Sequence, residues 1–132
     1  MLLYSDPYIS LHHYPQQTHV RLVRSEKQFE SVSRVASSLR DGSKKLEGID
    51  VARLGLLMDW RLAPLSTDPV MLKHVVQHID RFAARFARRA LLLATQVGVM
   101  QSERIARTIN HAKPVLFDDE AEALAYAKGD GV

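Results

Sequence analysis

Asp59 closes a short apolar run, Leu54–Trp60, and the loop that follows carries Ser66, Thr67 and Asp68 ahead of Pro69. A carboxylate at the C-terminal end of a parallel strand can act as a phosphoacceptor or a nucleophile. Such a site needs a magnesium ion held by further acids from neighbouring strand ends. The other strand ends read "HHYPQ" and "VRSE" and bring no acidic pair, and Asp59-Trp60-Arg61 lacks the second aspartate of a phosphatase-type motif. Asp59 is therefore expected to orient the loop rather than to react. Asp68 directly before Pro69 has the pattern of a helix N-cap followed by proline at the first helical position. Ser66 and Thr67 are the candidate phosphorylation sites. A phosphate there would lie near the positive end of the helix, accept backbone N–H bonds and add about two negative charges, with Asp68 opposing it.

His74 and His78 stand four apart, a spacing that lets one helix face share a metal. No third ligand has a suitable spacing and no glutamate lies between them, so no metal site is expected. His12 and His13 are adjacent in a strand and point to opposite faces. The chain has no cysteine, which excludes disulfides, thiolate metal sites and thiol catalysis. A cationic series is more prominent. His74, His78, Arg81 and Arg85 recur at helical spacing, Arg88 and Arg89 follow, and "RFAARFARRA" contains no acid. These are the candidate anion-contacting residues, for an acidic protein, a phosphate-bearing lipid or nucleic acid. The alternative is a solvated face whose arginines complement a helix C-terminus. Nucleic acid is the least favoured partner, because no aromatic platform, zinc knuckle or glycine-rich RNA motif interleaves the basic residues. Gly98 stands singly in "TQVGVMQSER", which excludes a dinucleotide fingerprint and a P-loop there, and no cofactor is expected.

The elements that must position these residues follow from periodicity. A chain of 132 residues, 46% apolar and 25% charged, is one domain able to bury a core, here residues 1–132. Net charge is +3, a mild excess. "YISLHHY" (Tyr8–Tyr14) and "THVRLVRS" (Thr18–Ser25) alternate around the short connection "PQQ" and predict a hairpin. "SEKQFESVSRVASSLRDG" predicts a helix capped by Ser25, with Phe29, Val32, Val35 or Ala36, and Leu39 on one face, stopped by Gly42. "SKKLEGIDVAR" reads as a polar, exposed connector. "LGLLMDW" lacks alternation, which suits a strand covered on both faces. From Pro69, Leu72, Val75, Val76, Ile79, Phe82, Ala83 and Phe86 form an amphipathic stripe. "ALLLAT" predicts a strand, "MQSERIARTINHA" a helix, "KPVLF" a short strand, and "DDEAEALAYAKGDG" a helix capped by Asp119 and ended by Gly129. The order β-β-α-β-α-β-α-β-α predicts an α/β layer sandwich: a mixed sheet, hairpin first and then parallel strands, with about four helices. The N-terminus has no basic n-region or long apolar h-region and "ALLLA" is too short to span a bilayer, so a cytoplasmic protein without a transmembrane segment is expected.

In order and texture the chain resembles the STAS domain, the fold of bacterial anti-sigma-factor antagonists, and its SpoIIAA-like relatives. "GLLMDWRLAPLSTDP" resembles the central strand, its terminal acid and the following loop. "FARRALLLATQVGVMQSERIARTI" resembles the next strand and helix, and "KPVLFDDEAEALAYAK" the last strand and closing helix. The resemblance implies a non-enzymatic regulatory or scaffolding module for signalling, which binds a protein partner and is switched when a kinase modifies a serine after the central strand. Ser66 and Thr67 are the positional equivalents, although no acid directly precedes Ser66 and no glycine follows Thr67. In the resembling fold the loop at Val97, Val99 and Met100 lies near this one. With Trp60, Leu62, Leu65 and Asp68 these are the candidate partner-binding residues; ordinary core is the alternative reading of the apolar ones. A second functional expectation is a small-molecule or lipid-binding domain of Sec14-like type, taking an anionic lipid or small apolar ligand. Exposed hairpin edges also make a homodimer a candidate assembly.

Overall fold

The computed structural model describes residues 1–14, 16–64, 68–94 and 114–129. The alternating segments form the expected antiparallel hairpin, β2 (Ile9–His13) with β3 (His19–Arg24), in the register Leu11↔Leu22. A strand not anticipated, β1 (Leu2–Ser5), pairs antiparallel with β2 at the sheet edge. The turn between them is made by Asp6, whose Oδ1 accepts from the N–H groups of Tyr8 (2.8 Å) and Ile9 (2.9 Å). Its Oδ2 takes the hydroxyls of Tyr4 (2.8 Å) and Ser38 (2.6 Å), tying that turn to the first helix.

β4 (Gly55–Asp59), β5 (Arg88–Leu92) and β6 (Val115–Phe117) continue the sheet in parallel, so the six strands lie in chain order. Three α-helices are present among the described residues: α1 (Val32–Lys44), α2 (Pro69–Ala83) and α3 (Glu120–Lys128). The helix expected on Met100–Ala112 lies outside the described residues. The α/β class and the mixed sheet are as expected. Ile9, Leu11, Val20, Leu22, Leu56 and Met58 face α1 and α2 in the larger core. Leu57, Ala90 and Leu92 face Ala123 and Ala127 of α3 on the other side. Every residue of β4 is buried, which is why its sequence shows no alternation.

Three local expectations are corrected. Ser31, not Ser25, caps α1: its Oγ accepts from Arg34 N–H at 3.2 Å. Ser25 instead donates to the Pro7 carbonyl at 2.6 Å. The chain from Ser25 to Glu30 is drawn out of the helix by tertiary contacts. The Phe29 ring stacks on Tyr8 with centroids 4.8 Å apart, and buried Arg24 donates to the carbonyls of Tyr8 (2.8 Å) and Lys27 (3.1 Å). Gly42 does not stop α1, which runs on to Lys44. The connector after it is not wholly exposed either, since Leu46 and Val51 are buried in the core.

Gly42 has no positive φ, and a methyl group built on it would meet Tyr4, Ile9 and Leu11 at ordinary contact distances of 3.6–4.0 Å. Gly42→Ala is therefore expected to stabilise the protein by about 0.5–1 kcal/mol, through helix propensity and a less flexible unfolded chain. Urea denaturation checks it; a loss of stability would mean that α1 leaves no room against the sheet.

Candidate functional site

Asp59 ends β4 on the face covered by α3, and only 6% of it is exposed. Arg21, two residues before the β3 position paired with Asp59, extends along the same face. Its Nη2 donates to Asp59 Oδ2 and to Glu120 Oε1, each at 2.8 Å. Arg61 grips the same carboxylate from the loop side: Nη2 to Oδ2 at 2.8 Å, Nε to Oδ1 at 3.0 Å, and its backbone N–H to Oδ1 at 3.2 Å. Arg61 Nη1 also reaches Glu120 Oε2 at 3.3 Å. Each Asp59 oxygen thus accepts two hydrogen bonds, which fills the acceptor capacity of a carboxylate. Burial alone would push this carboxyl up, but the bonds from Arg61 and Arg21 outweigh it and hold it down at about 2. The Glu120 carboxyl is also held below its usual value, first by the hydrogen bond from Arg21. Chemically the arrangement is a clamp that fixes Arg61, and with it the chain leaving β4, to the start of α3.

No family model, curated protein or solved structure matches the chain. Function is therefore argued from these residues and their surroundings.

Beyond Arg61 the described residues Leu62, Asp68, Pro69 and Val70 are exposed and make up a rim. Trp60 is half-buried against the larger core and donates its N–H to the Leu92 carbonyl at 2.9 Å. Leu62 is 63% exposed and Val70 is 64% exposed. Asp68 caps α2 as its spacing with Pro69 implied, accepting from Val70 N–H (2.9 Å) and Met71 N–H (3.3 Å). Leu65, Ser66, Thr67, Val97, Val99 and Met100 lie outside the described residues.

The cationic series divides. His74, His78 and Arg81 share α2, and burial, followed by Arg81 and His74, pushes the His78 imidazole below its ordinary value. Arg85 lies exposed just after the helix. Arg88 and Arg89 belong to β5 rather than to a helix tail. Arg88 donates through Nε (3.3 Å) and Nη2 (3.2 Å) to the Ala127 carbonyl of α3, and Arg89 donates to the Phe86 carbonyl at 2.9 Å. Among the described residues no group of three or more metal-ligating side chains converges, and no helix is long and apolar enough to cross a membrane.

A groove of about 180 Å³ lies at the other end of the sheet, lined by His12, Tyr14, Gln17, His19, Arg21, Leu124 and Lys128. The sequence reading separated His12 from His13 but did not bring His12 to His19 and Arg21. The signal was there in period two. Arg21 stands opposite His12 across the hairpin, and His19 shares the face of Arg21.

Proposed function

We propose that the chain is a non-enzymatic regulatory or scaffolding module that binds a protein partner through the rim after β4. The observation that carries this reading is the pairing of a filled carboxylate with exposed apolar residues. Asp59 holds the chain in place through Arg21 and Arg61, while Leu62 and Val70 present large aliphatic side chains on either side of residues 65–67. Exposed aliphatics anchored on a rigid base suit partner recognition. The resemblance to STAS and SpoIIAA-like domains supports the same assignment. It also supports a switch in which phosphorylation of Ser66 or Thr67 sets charge beside the rim. The lipid-binding alternative finds less support, because Arg88 and Arg89 are engaged with backbone carbonyls instead of forming an open head-group surface.

Affinity capture with tagged wild type and a Leu62→Asp/Val70→Asp double variant tests the rim. The expected result is a specific partner whose recovery falls about tenfold in the double variant while its circular dichroism and melting temperature are retained. Equal recovery by both proteins, or no specific partner for wild type, overturns the reading. Loss of the same partner with Ser66→Asp but not with Ser66→Ala supports the switch; equal recovery with both overturns it.

A further inference from the structure

α3 covers β4 and β5 but leaves the corresponding face of the β2–β3 hairpin beside it, and the groove runs along that step. His12, His19 and Arg21 form its floor, Leu124 and Lys128 of α3 one wall, and Tyr14 and Gln17 of the hairpin turn its end. The wall is pinned, because Thr18 Oγ1 donates to the Lys128 carbonyl at 2.9 Å. Among the described residues no carboxylate lines the groove. The nearest acids bonded to a lining residue, Asp59 and Glu120, are already engaged by Arg21 and Arg61. Lys128 makes no ion pair among the described residues. His19 is only 5% exposed, and its Nδ1 has no hydrogen-bond partner. A concave site whose described lining holds Lys128, Arg21 and polar donors but no carboxylate favours an anion.

The titration of the two imidazoles agrees with this. Burial pushes His12 below its ordinary value, and the chain's amino group and Arg21 push the same way. Burial also lowers His19, followed by Lys128, Arg21 and His13. Among the described residues the charged neighbours acting on either ring are positive or potentially positive.

We propose that this groove is a binding site for a phosphate group, held by Arg21, Lys128 and His12 with Tyr14 and Gln17 as neutral donors. Its volume suits one small tetrahedral oxyanion with a short substituent. Guanidinium, ammonium, imidazole and amide donors lining one groove can match several oxygens at once, which a single carboxylate would not use. The groove is distinct from the rim: it opens near His19, level with Gly55 and Arg88 at the start of the parallel strands, whereas the rim follows Asp59 at their ends.

A bound oxyanion supplies a counter-charge and favours protonated His12 and His19. Binding therefore takes up protons, and affinity rises as pH falls. Sulfate is the cleaner probe for that dependence, since it keeps its charge where phosphate titrates. Amide and imidazole NMR shifts are followed as sulfate or inorganic phosphate is added at constant ionic strength, with chloride as control. The expected result is saturable shifts confined to the groove, sulfate binding about tenfold tighter near pH 6 than near pH 8, and about tenfold weaker binding in Lys128→Gln and in His12→Gln. Arg40→Gln, an exposed site on α1 across the sheet from the groove, should bind as wild type does. Phosphatidylcholine vesicles containing phosphatidic acid separate the two sources of the group. Co-sedimentation abolished by Lys128→Gln assigns the groove to a lipid head-group, and groove shifts with free phosphate but no co-sedimentation assign it to a soluble ligand. Shifts scattered over surface cations and unchanged in Lys128→Gln, or no saturable binding of either anion, overturn the proposal.

Discussion

Replacing Asp59 with alanine is expected to cost about 3 kcal/mol of folding stability at neutral pH. The carboxylate is buried and accepts two bonds on each oxygen, so its loss leaves Arg21 and Arg61 with only the more exposed Glu120 as a carboxylate partner. The backbone N–H of Arg61 loses its acceptor too. Both arginines retain some contact with water, which places the cost at the lower end of the range for breaking a buried pair. Equilibrium denaturation of wild type and Asp59→Ala measures it, and a difference below about 1 kcal/mol would mean the clamp is incidental. The pH dependence separates the charge from the packing. A carboxyl held at about 2 in the folded state, against 3.8 as its ordinary value, stabilises the fold fully above the ordinary value and loses that contribution as pH falls toward 2. The ionisation-linked part is on the order of 2 kcal/mol. The gap between wild type and Asp59→Ala should therefore be flat above about pH 5 and narrow steadily below it. A gap unchanged down to pH 2 would assign the whole effect to packing.

What the sequence disclosed and what it hid divide according to the range of the interactions. Asp68 with Pro69, and Asp119 with Gly129, were readable because a helix cap is a local hydrogen bond between residues two or three apart. The doubly covered β4 was readable because burial on both faces removes polar residues from the run. The start of α1 was not. Ser25 and Ser31 are both acceptable caps, and the choice is made by Tyr8, which stacks on Phe29 from the turn before β2. β1 was missed because an edge strand of four residues is too short for alternation to register. Its Asp6-Pro7 turn was the available signal, a turn-forming pair between two apolar runs. Arg88 and Arg89 looked like a helix tail because basic residues at a C-terminus fit the dipole equally well. Strand pairing with β4 carries them into β5 instead. The Asp59 clamp was half legible: the acid and its orienting role could be read, but Arg21 and Glu120 come from strands and helices far along the chain.

Gly55→Ala is expected to be the most damaging of the glycine-to-alanine changes among the described residues, at about 3 kcal/mol and a fall of roughly 10 °C in melting temperature. The reason is space, not backbone conformation, since Gly55 does not have a positive φ. A Cβ at this position would collide with the carbonyl of Ala127, where the last turn of α3 lies directly on β4. Nor can that turn move away freely. Arg88 donates twice to the same Ala127 carbonyl, Thr18 holds the carbonyl of Lys128, and the Ala123 and Ala127 side chains are fully buried against Leu57, Ala90 and Leu92. Admitting the methyl group means breaking those bonds and uncovering the smaller core, a backbone displacement rather than a side-chain adjustment. The same substitution at Gly42, where the new methyl finds ordinary contacts, is expected to have the opposite sign. Measured side by side, the two variants separate steric exclusion from the general effect of replacing glycine with alanine. If Gly55→Ala melts within about 2 °C of wild type, the close approach of α3 to β4 is wrong. If it is destabilised as expected, the groove beside Lys128 should open with it, and sulfate binding should weaken even in the fraction that remains folded.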